Sequence, residues 1–137
     1  PHDLIHWTDG KVLTATGSPF EPVHYKGVAY QIAQSNNALV FPGLGLGVAV
    51  TKASRISEGM IAAAADAVAA MSDARTPGAS LLPPMTVLRT ASAAVAIAVA
   101  KAADAEGLAR VELSNPVQQV YDAMWQPEYP RIEPIEA

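Results

Sequence analysis

The sequence contains no cysteine, and this absence excludes several kinds of functional site. Without a thiol the chain cannot form a disulfide scaffold, use a cysteine nucleophile, or bind zinc or an iron–sulfur cluster through thiolates. The absence is consistent with a cytosolic protein, and the first residues show no signal-peptide pattern of a basic segment followed by an apolar one. We therefore expect a cytoplasmic location.

Charged residues are also scarce, at 16% of the chain, whereas apolar residues make up 50%. This balance excludes intrinsic disorder, which requires low hydrophobicity and high charge. The net charge of −4 and the lack of a basic run argue against nucleic-acid binding, because that affinity depends mainly on neutralising phosphates. The weakly apolar run 91–100 is shorter than the about 20 residues that span a bilayer, so no membrane partner is expected.

Bulky side chains are rare, with two Phe and two Trp against 27 alanines in 137 residues. A chain of this length is expected to form one domain or part of one. Small side chains suit closely packed helices better than a bulky core. The composition therefore predicts a predominantly helical α/β fold, with a few short strands confined to the N-terminal part.

The N-terminal 35 residues are predicted to be extended pieces joined by turns. Lys11–Thr16 is rich in β-branched residues and predicts a strand, and 23–32 predicts a small hairpin around Lys26-Gly27. His2 and His6 would come together only on a helix, which the surrounding residues do not favour. No metal site is expected from them or from His24.

Apolar spacing and N-cap residues predict helices after residue 35. The first predicted helix begins with a turn at Asn36, kinks at 41–43 and continues to about Ala53. The second is capped by Ser57. The third is long, is capped by Thr86 and ends near Gly107, and a short fourth helix covers 117–124. The long helix lacks a clear polar face. We expect it to be buried on several sides, in part by a domain or subunit that this chain does not include.

The string Gly43-Leu44-Gly45-Leu46-Gly47 has two interpretations. A dinucleotide-binding loop has the spacing G-x-G-x-x-G between a strand and a helix, which this string does not match. Alternatively, the glycines allow a helix to pack tightly against its neighbours, and this second interpretation is favoured.

Two loops carry the candidate binding residues. Asn36 and Asn37 open an apolar helical segment, where side-chain amides can donate to a carboxylate or pair with a carboxamide. The alternative is an N-cap followed by a turn residue. The loop 16–20 follows a candidate strand, a place where α/β sheets bind ligands, although a plain tight turn explains it equally well.

Three strings, in this order, resemble the C-terminal part of malic enzymes: Trp7-Thr8-Asp9-Gly10, Ala15-Thr16-Gly17-Ser18-Pro19-Phe20, and Asn36-Asn37-Ala38-Leu39-Val40-Phe41-Pro42-Gly43. Three more are similar to the large bacterial subclass related to the NAD-linked enzymes: Ser54-Arg55-Ile56-Ser57, Leu82-Pro83-Pro84, and Trp125-Gln126-Pro127-Glu128-Tyr129. The resemblance covers roughly residues 5–130. It implies the end of a Rossmann-like NAD(P)-binding domain over about 1–107, followed by a C-terminal tail over 108–137.

The resemblance also implies a function. The family oxidatively decarboxylates malate to pyruvate and CO2, with NAD or NADP as cofactor and Mg or Mn as the metal. The family's general acid, general base, metal ligands and G-x-G-x-x-G loop belong upstream of the matched region, so no catalytic residue and no metal ligand is assigned to this chain. By the resemblance, Asn37 contacts the malate carboxylate and Asn36 lies near the substrate or the nicotinamide. Gly17 and Ser18 form part of the wall beside the nicotinamide.

Two hypotheses follow. The chain is the C-terminal part of a malic enzyme, inactive by itself, whose parent is a homo-oligomer acting on malate and pyruvate. Alternatively, it is a non-catalytic domain that uses the same scaffold for ligand binding or subunit association. The string 113–116 is similar to another malate-binding string of the family, but its place in the chain is about 100 residues too late, so we interpret it as a coincidence.

Overall fold

The computed structural model describes residues 1–129, 131 and 133. The strands lie in the first quarter of the chain and helices make up most of the remainder, as the composition predicts. In chain order the elements are α1 (His2–Trp7), β1 (Ala15–Thr16), β2 (Val23–Tyr25), β3 (Val28–Tyr30), β4 (Ala33–Gln34), a 3-10 turn (Asn37–Leu39), α2 (Phe41–Thr51), α3 (Glu58–Ala69), a second 3-10 turn (Met85–Val87), α4 (Leu88–Ala105) and α5 (Pro116–Ala123).

The strands form two separate pairs. β2 and β3 are antiparallel, and the turn between them has positive φ at both Lys26 (49°) and Gly27 (79°). Two such residues make the tight turn whose twist matches paired strands, so the predicted hairpin is confirmed. β1 and β4 pair in parallel, with Ala15 opposite Ala33. The predicted strand over 11–16 is too long, because only its last two residues are paired as a strand.

The first residues form helix α1, so the prediction that they are extended is wrong. The helix brings the rings of His2 and His6 into a stack with centroids 4.2 Å apart, and His6 meets the ring of Tyr25 edge-on at 4.5 Å. Ile5 is buried. A helix this short is not stable through helix propensity alone, so its contacts with the hairpin stabilise it.

Helix α2 lies directly against α4 through two of its glycines. A Cβ atom on Gly43 would lie 2.5 Å from Cβ of Val95, and one on Gly47 would lie 2.8 Å from Cβ of Val99. Only residues without a side chain permit this approach. The favoured interpretation of the glycine-rich string is thus confirmed for Gly43 and Gly47, whereas Gly45 makes no such contact within the described residues. The predicted helical turn ends at Leu39 before α2 begins at Phe41.

Helix α3 begins where its sequence predicts. The Ser57 hydroxyl oxygen accepts a hydrogen bond from the Met60 N–H at 3.1 Å, so the predicted N-cap is confirmed. One stripe of α3 faces α4, and the combined core contains buried residues from both helices and from the segment before them: Leu39, Leu44, Met60, Ala64, Val68, Ala91, Val95, Val99 and Ala103.

Helix α4 is the central helix of the fold and packs against α2, α3 and α5. The predicted cap at Thr86 is wrong, because Thr86 lies inside the preceding 3-10 turn and no side chain caps α4. The predicted end is confirmed, since Gly107 has φ +67° just after the final turn. The span Met85–Ala105 is long and apolar enough to cross a membrane by length and composition. Within 91–103 of this span, Lys101 is exposed and the other residues are buried or half-buried.

Helix α5 begins at Pro116 and is capped by Asn115, whose Oδ1 accepts from the Gln118 N–H at 3.1 Å. The Asn115-Pro116 pair is therefore a helix start, which agrees with the interpretation of the string 113–116 as a coincidence. Beyond α5, the Arg89 guanidinium donates to the Trp125 carbonyl oxygen at 3.2 Å and to Gln126 Oε1 at 2.9 Å. These bonds hold the part of the predicted tail that follows α5 against α4. Residues 130, 132 and 134–137 of that tail lie outside the described residues.

Candidate functional site

The candidate site lies at the carboxyl edge of the parallel pair β1–β4. Thr16, the last residue of β1, pairs with Gln34, the last residue of β4. The strands are parallel, so the segments that follow them leave from the same edge. Gly17 and Ser18 follow β1, and the segment 35–37 follows β4. The fold thus brings together the two loops that the sequence singles out, at the position where α/β sheets bind ligands.

Thr16 connects the two loops. Its carbonyl oxygen accepts a hydrogen bond from the Ser35 N–H at 2.8 Å, which continues the pairing by one residue. Its side-chain hydroxyl donates to the Ser18 carbonyl oxygen at 2.7 Å. Thr16 therefore joins the Gly17-Ser18 segment, called the glycine loop below, to the segment that carries the asparagine pair. Thr16 belongs to the candidate loop 16–20, but the sequence predicts no separate role for it, since a threonine at the end of a β-branched run is explained by strand propensity alone.

Asn36 acts as a cap. Its backbone is extended, with φ −123° and ψ 130°, and its Oδ1 accepts from the Ala38 N–H at 2.9 Å. The capping alternative is thus correct for Asn36. Its side-chain oxygen is used by the cap, and its NH2 group makes no hydrogen bond within the described residues. Asn36 can still donate to a ligand.

Asn37 occupies the turn position that the same alternative gives it, but its side chain takes no part in the cap. It is the first residue of the 3-10 turn and is exposed, and in the part of the chain that the structure describes its side-chain amide makes no hydrogen bond. Both its donor and its acceptor are therefore available. An amide of this kind can donate to a carboxylate oxygen or pair with a carboxamide.

The asparagine pair lines an open cleft of about 640 Å3. The lining residues are Ser35, Asn36, Asn37, Leu39, Val40, Val68 and Leu82. Every lining side chain is neutral, so the amides and the Ser35 hydroxyl are its polar side-chain groups. Gly17 and Ser18 are not among the residues that line this cleft. Val68 and Leu82 were missed as site residues, because they come from distant segments with no binding motif of their own.

Gly17 has no structural need to be a glycine. A Cβ atom there would have no neighbour within 4 Å among the described residues, and its φ is not positive. Gly17 and Ser18 are both exposed, and their N–H groups make no hydrogen bond within the described residues. Where the chain itself does not require a glycine, close approach of a ligand to the backbone is a sufficient reason for one.

A second cleft of about 370 Å3 continues from this loop. It is lined by residues of the loop after β1, of β4 and the two residues before it, and of the segment before α4. The lining residues are Pro19, Phe20, Gln31, Ile32, Ala33, Gln34, Ser80, Pro83, Pro84 and Met85. Two of the six motif strings, those containing Phe20 and Pro83-Pro84, thus meet in one cleft. The carboxyl edge of the strand pair therefore adjoins two open concave surfaces.

Titratable groups with shifted pKa values lie on the hairpin, away from this edge. Asp9 Oδ1 accepts hydrogen bonds from the Lys26 ammonium group and, at 2.9 Å, from the Tyr25 hydroxyl. The Lys26 bond, followed by the Tyr25 bond, lowers the pKa of the Asp9 carboxyl below its ordinary value. The bond to Asp9 raises the pKa values of Tyr25 and Lys26. The three groups form a surface ion-pair cluster, and none of them lines the cleft beside the asparagine pair.

Among residues 1–129, 131 and 133, no group of three or more His, Asp or Glu side chains is placed to hold a metal ion. His2 and His6 are stacked on α1, whereas His24 lies on β2. The described residues therefore do not fit the metal that the family resemblance implies. The neutral side chains of the asparagine cleft can bind and orient a ligand, but they include no general acid or base.

Comparisons with known proteins agree with this geometry. Residues 1–104 match the protein family described as malic enzyme, NAD binding domain. The chain is 55% identical to NAD-dependent malic enzyme 3 of Bacillus subtilis over 98% of its length, and 44% identical to malolactic enzyme of Lactococcus lactis over 92%. It spans about a quarter of these relatives, 24% and 23% of their respective lengths.

Solved structures give the same assignment. The fold is similar to that of malic enzyme from Pyrococcus horikoshii, with a TM-score of 0.65 and 29% identity, over 81% of this chain and 23% of that one. Malic enzyme from Entamoeba histolytica is similar with a TM-score of 0.62 and 30% identity, over 80% and 20%. The sequence match, the fold and the paired loops agree, and the chain belongs to the malic enzyme NAD-binding domain family.

Proposed function

We propose that this chain is the C-terminal portion of an NAD-dependent malic enzyme, which oxidatively decarboxylates malate to pyruvate and CO2. The observation that carries the proposal is the Asn37 side-chain amide, which makes no hydrogen bond within the described residues and lies beside the capping residue Asn36, at the same sheet edge as the open backbone of Gly17. Similarity to relatives named NAD-dependent malic enzymes at 44–55% identity supports NAD as the cofactor.

In this proposal the chain binds and orients the reactants. The Asn37 amide donates to a malate carboxylate, and the Asn36 NH2 group donates to substrate or to the nicotinamide carboxamide. Gly17 and Ser18 form the wall beside the nicotinamide, with their N–H groups available to it. NAD, when bound, accepts the hydride from malate. These residues hold the two molecules in contact, an effect that lowers the barrier without proton transfer from the chain itself.

The acid–base residues and the metal ligands are proposed to lie in other parts of the parent protein. The described residues of this chain provide no cluster for Mg or Mn, and their role in the proposal is confined to binding and orientation. We further propose that about 1–107 completes the NAD-binding domain and that 108–137 is a C-terminal tail. The parent is proposed to be a cytoplasmic homo-oligomer that acts on malate and pyruvate and has no nucleic-acid or membrane partner.

The test uses the full-length protein that contains this chain. Purified protein is incubated with malate, NAD and Mn²⁺, reduced nicotinamide is followed by absorbance, and pyruvate is measured at the end. Equal amounts of NADH and pyruvate support the proposal. Formation of lactate in place of pyruvate would indicate the activity of its relative, malolactic enzyme. If malate is not consumed in this assay, the alternative of a non-catalytic ligand-binding or subunit-association domain is favoured.

A further inference from the structure

The Thr16 hydroxyl has a role that strand formation does not explain. Valine is as favourable as threonine in a strand and has nearly the same shape, so the hydroxyl is not needed for β1. In the structure this hydroxyl donates to the Ser18 carbonyl oxygen at 2.7 Å. The bond spans Gly17, whose φ is not positive and whose hypothetical Cβ atom would contact none of the described residues.

The bond restricts the backbone conformation of the Gly17-Ser18 loop. Drawing the Ser18 carbonyl back toward Thr16 restricts the residue between them, although glycine would otherwise have wide backbone freedom. At the same time the Thr16 carbonyl accepts from the Ser35 N–H at 2.8 Å, immediately before the asparagine pair. The glycine loop is therefore tied to the other binding segment through a single residue.

We propose that Thr16 is a positioning residue for cofactor binding, whose hydroxyl holds the Gly17-Ser18 backbone in the conformation that receives the nicotinamide side of NAD. The inference rests on the proposed function, because it assumes that this loop faces NAD. It adds a residue that acts through the loop without touching the cofactor. The Ser35 bond uses the Thr16 backbone, so it survives replacement of the side chain and the asparagine pair stays in place.

Thr14 provides a matched control. It lies two residues before Thr16, it is 8% exposed, and its hydroxyl has no hydrogen-bond partner within the described residues. Thr14→Val and Thr16→Val therefore make the same chemical change in one extended segment. Only Thr16→Val removes a hydrogen bond to the loop.

The experiment measures NAD affinity of the full-length protein by titration calorimetry, for the parent and for Thr16→Val, Thr16→Ser and Thr14→Val. Losing one neutral hydrogen bond that preorganises a loop is expected to weaken NAD binding about 3- to 10-fold in Thr16→Val. Thr16→Ser keeps the donor and is expected to restore parental affinity. Thr14→Val is expected to bind NAD as the parent does. In turnover assays the KM for NAD should rise while the KM for malate stays within about twofold, because the asparagine segment keeps its backbone bond.

The outcomes separate this inference from the proposed function. If Thr16→Val binds NAD as tightly as Thr14→Val, or if Thr16→Ser is as weak as Thr16→Val, the positioning role is wrong. A rise in both KM values together with a lower Tm would show a structural role instead. If the parent binds NAD but does not oxidise malate, the proposed function fails, while the affinity comparison still decides the role of Thr16. If the parent does not bind NAD, both are rejected.

Discussion

Gly43 and Val95 are packed so closely that a Cβ atom on the glycine would lie 2.5 Å from Cβ of Val95. The contact sets the separation of α2 from α4, and the asparagine segment immediately precedes α2 in the chain. At Gly45, two residues later, the same hypothetical atom would have no neighbour within 4 Å in the part of the chain that the structure describes. The glycines of one string thus have different physical roles, which mutation can separate.

We expect Gly43→Ala and Gly47→Ala each to lower the free energy of unfolding by about 1–3 kcal/mol, because the added methyl group overpacks the helix interface. Gly45→Ala is the matched control and should raise it by about 0.5–1 kcal/mol, since alanine is the better helix former in open space. Urea unfolding of the 137-residue chain, followed by circular dichroism, measures all three. Equal effects at the three positions would contradict this assignment of the α2–α4 contact.

The binding assignment of Asn37 predicts an order of two mutants in the full-length enzyme. Loss of a hydrogen bond to a carboxylate, worth about 1.5–3 kcal/mol, should lower kcat/KM for malate about 10- to 150-fold in Asn37→Ala. Asn37→Asp should be worse, because it places a negative charge against that of the substrate. If Asn37 served only at the start of its turn, Asp would replace Asn well.

Asn115→Asp is the control for this pair, since it makes the same change at a helix cap on α5. We expect it to leave malate kinetics within about twofold of the parent, because Asp and Asn cap helices equally well. The assignment of Asn37 is contradicted if Asn37→Asp folds normally and keeps malate kinetics within about threefold of the parent.

The surface cluster on the hairpin predicts a pH dependence with a defined sign. The bonds from Lys26 and Tyr25 lower the pKa of Asp9, so its contribution to stability is present above its unfolded pKa and is lost as pH falls through its folded pKa. The raised pKa values of Lys26 and Tyr25 make their contribution disappear at alkaline pH instead. NMR titration of the Asp9 carboxyl should show the lowered pKa, and Lys26→Met should move it back toward the ordinary value. An unchanged titration in that variant would show that the ion pair is absent in solution.

The chain alone is expected to have no malic enzyme activity. The side chains of the asparagine cleft are neutral, and no metal-binding cluster occurs in the part of the chain described by the structure. The purified chain is incubated with malate, NAD or NADP and Mn²⁺, and reduced nicotinamide is followed. Turnover that exceeds a buffer control and survives repurification would overturn the expectation.

The isolated chain is also expected to self-associate. The reason differs from the one that the sequence suggests, because α4 is covered by helices of this chain. Large apolar side chains are exposed elsewhere: Trp7 at 79%, Phe41 at 61% and Trp125 at 76%. Apolar surface of this kind favours association. Sedimentation velocity at tens of micromolar should show species larger than a monomer, and fewer of them for Phe41→Ser; a single monomer peak for the unmodified chain would contradict this.

Local chemistry explains which features were predictable from the sequence. The hairpin at Lys26-Gly27, the cap at Ser57 and the stop at Gly107 depend on the backbone preferences of one or two residues, so they can be predicted without the fold. The Asn36-Asn37 string and the loop 16–20 were also identified from sequence, by their side-chain chemistry and their place after a strand, and the family resemblance suggested their roles. Their roles as binding residues stay predictions.

Other features depend on contacts between segments distant in sequence. Helix α1 is too short to be stable by itself, and it is packed against the hairpin. Thr86 is a good capping residue, but the 3-10 turn that precedes α4 includes it and removes it from the cap position. Strand β1 is only two residues long, because its partner β4 is no longer than that.

The sequence by itself therefore determined the helical α/β class, the hairpin turn, several of the helix boundaries and the two loops that carry the candidate residues. Only the tertiary structure decided that those loops meet, that Thr16 joins them, and that Asn36 is used as a cap while the Asn37 side chain makes no hydrogen bond to any described residue. The physical reason is that pairing between Thr16 and Gln34 and packing between Gly43 and Val95 are long-range contacts. Such contacts depend on the arrangement of the whole chain, which no local pattern of residues specifies.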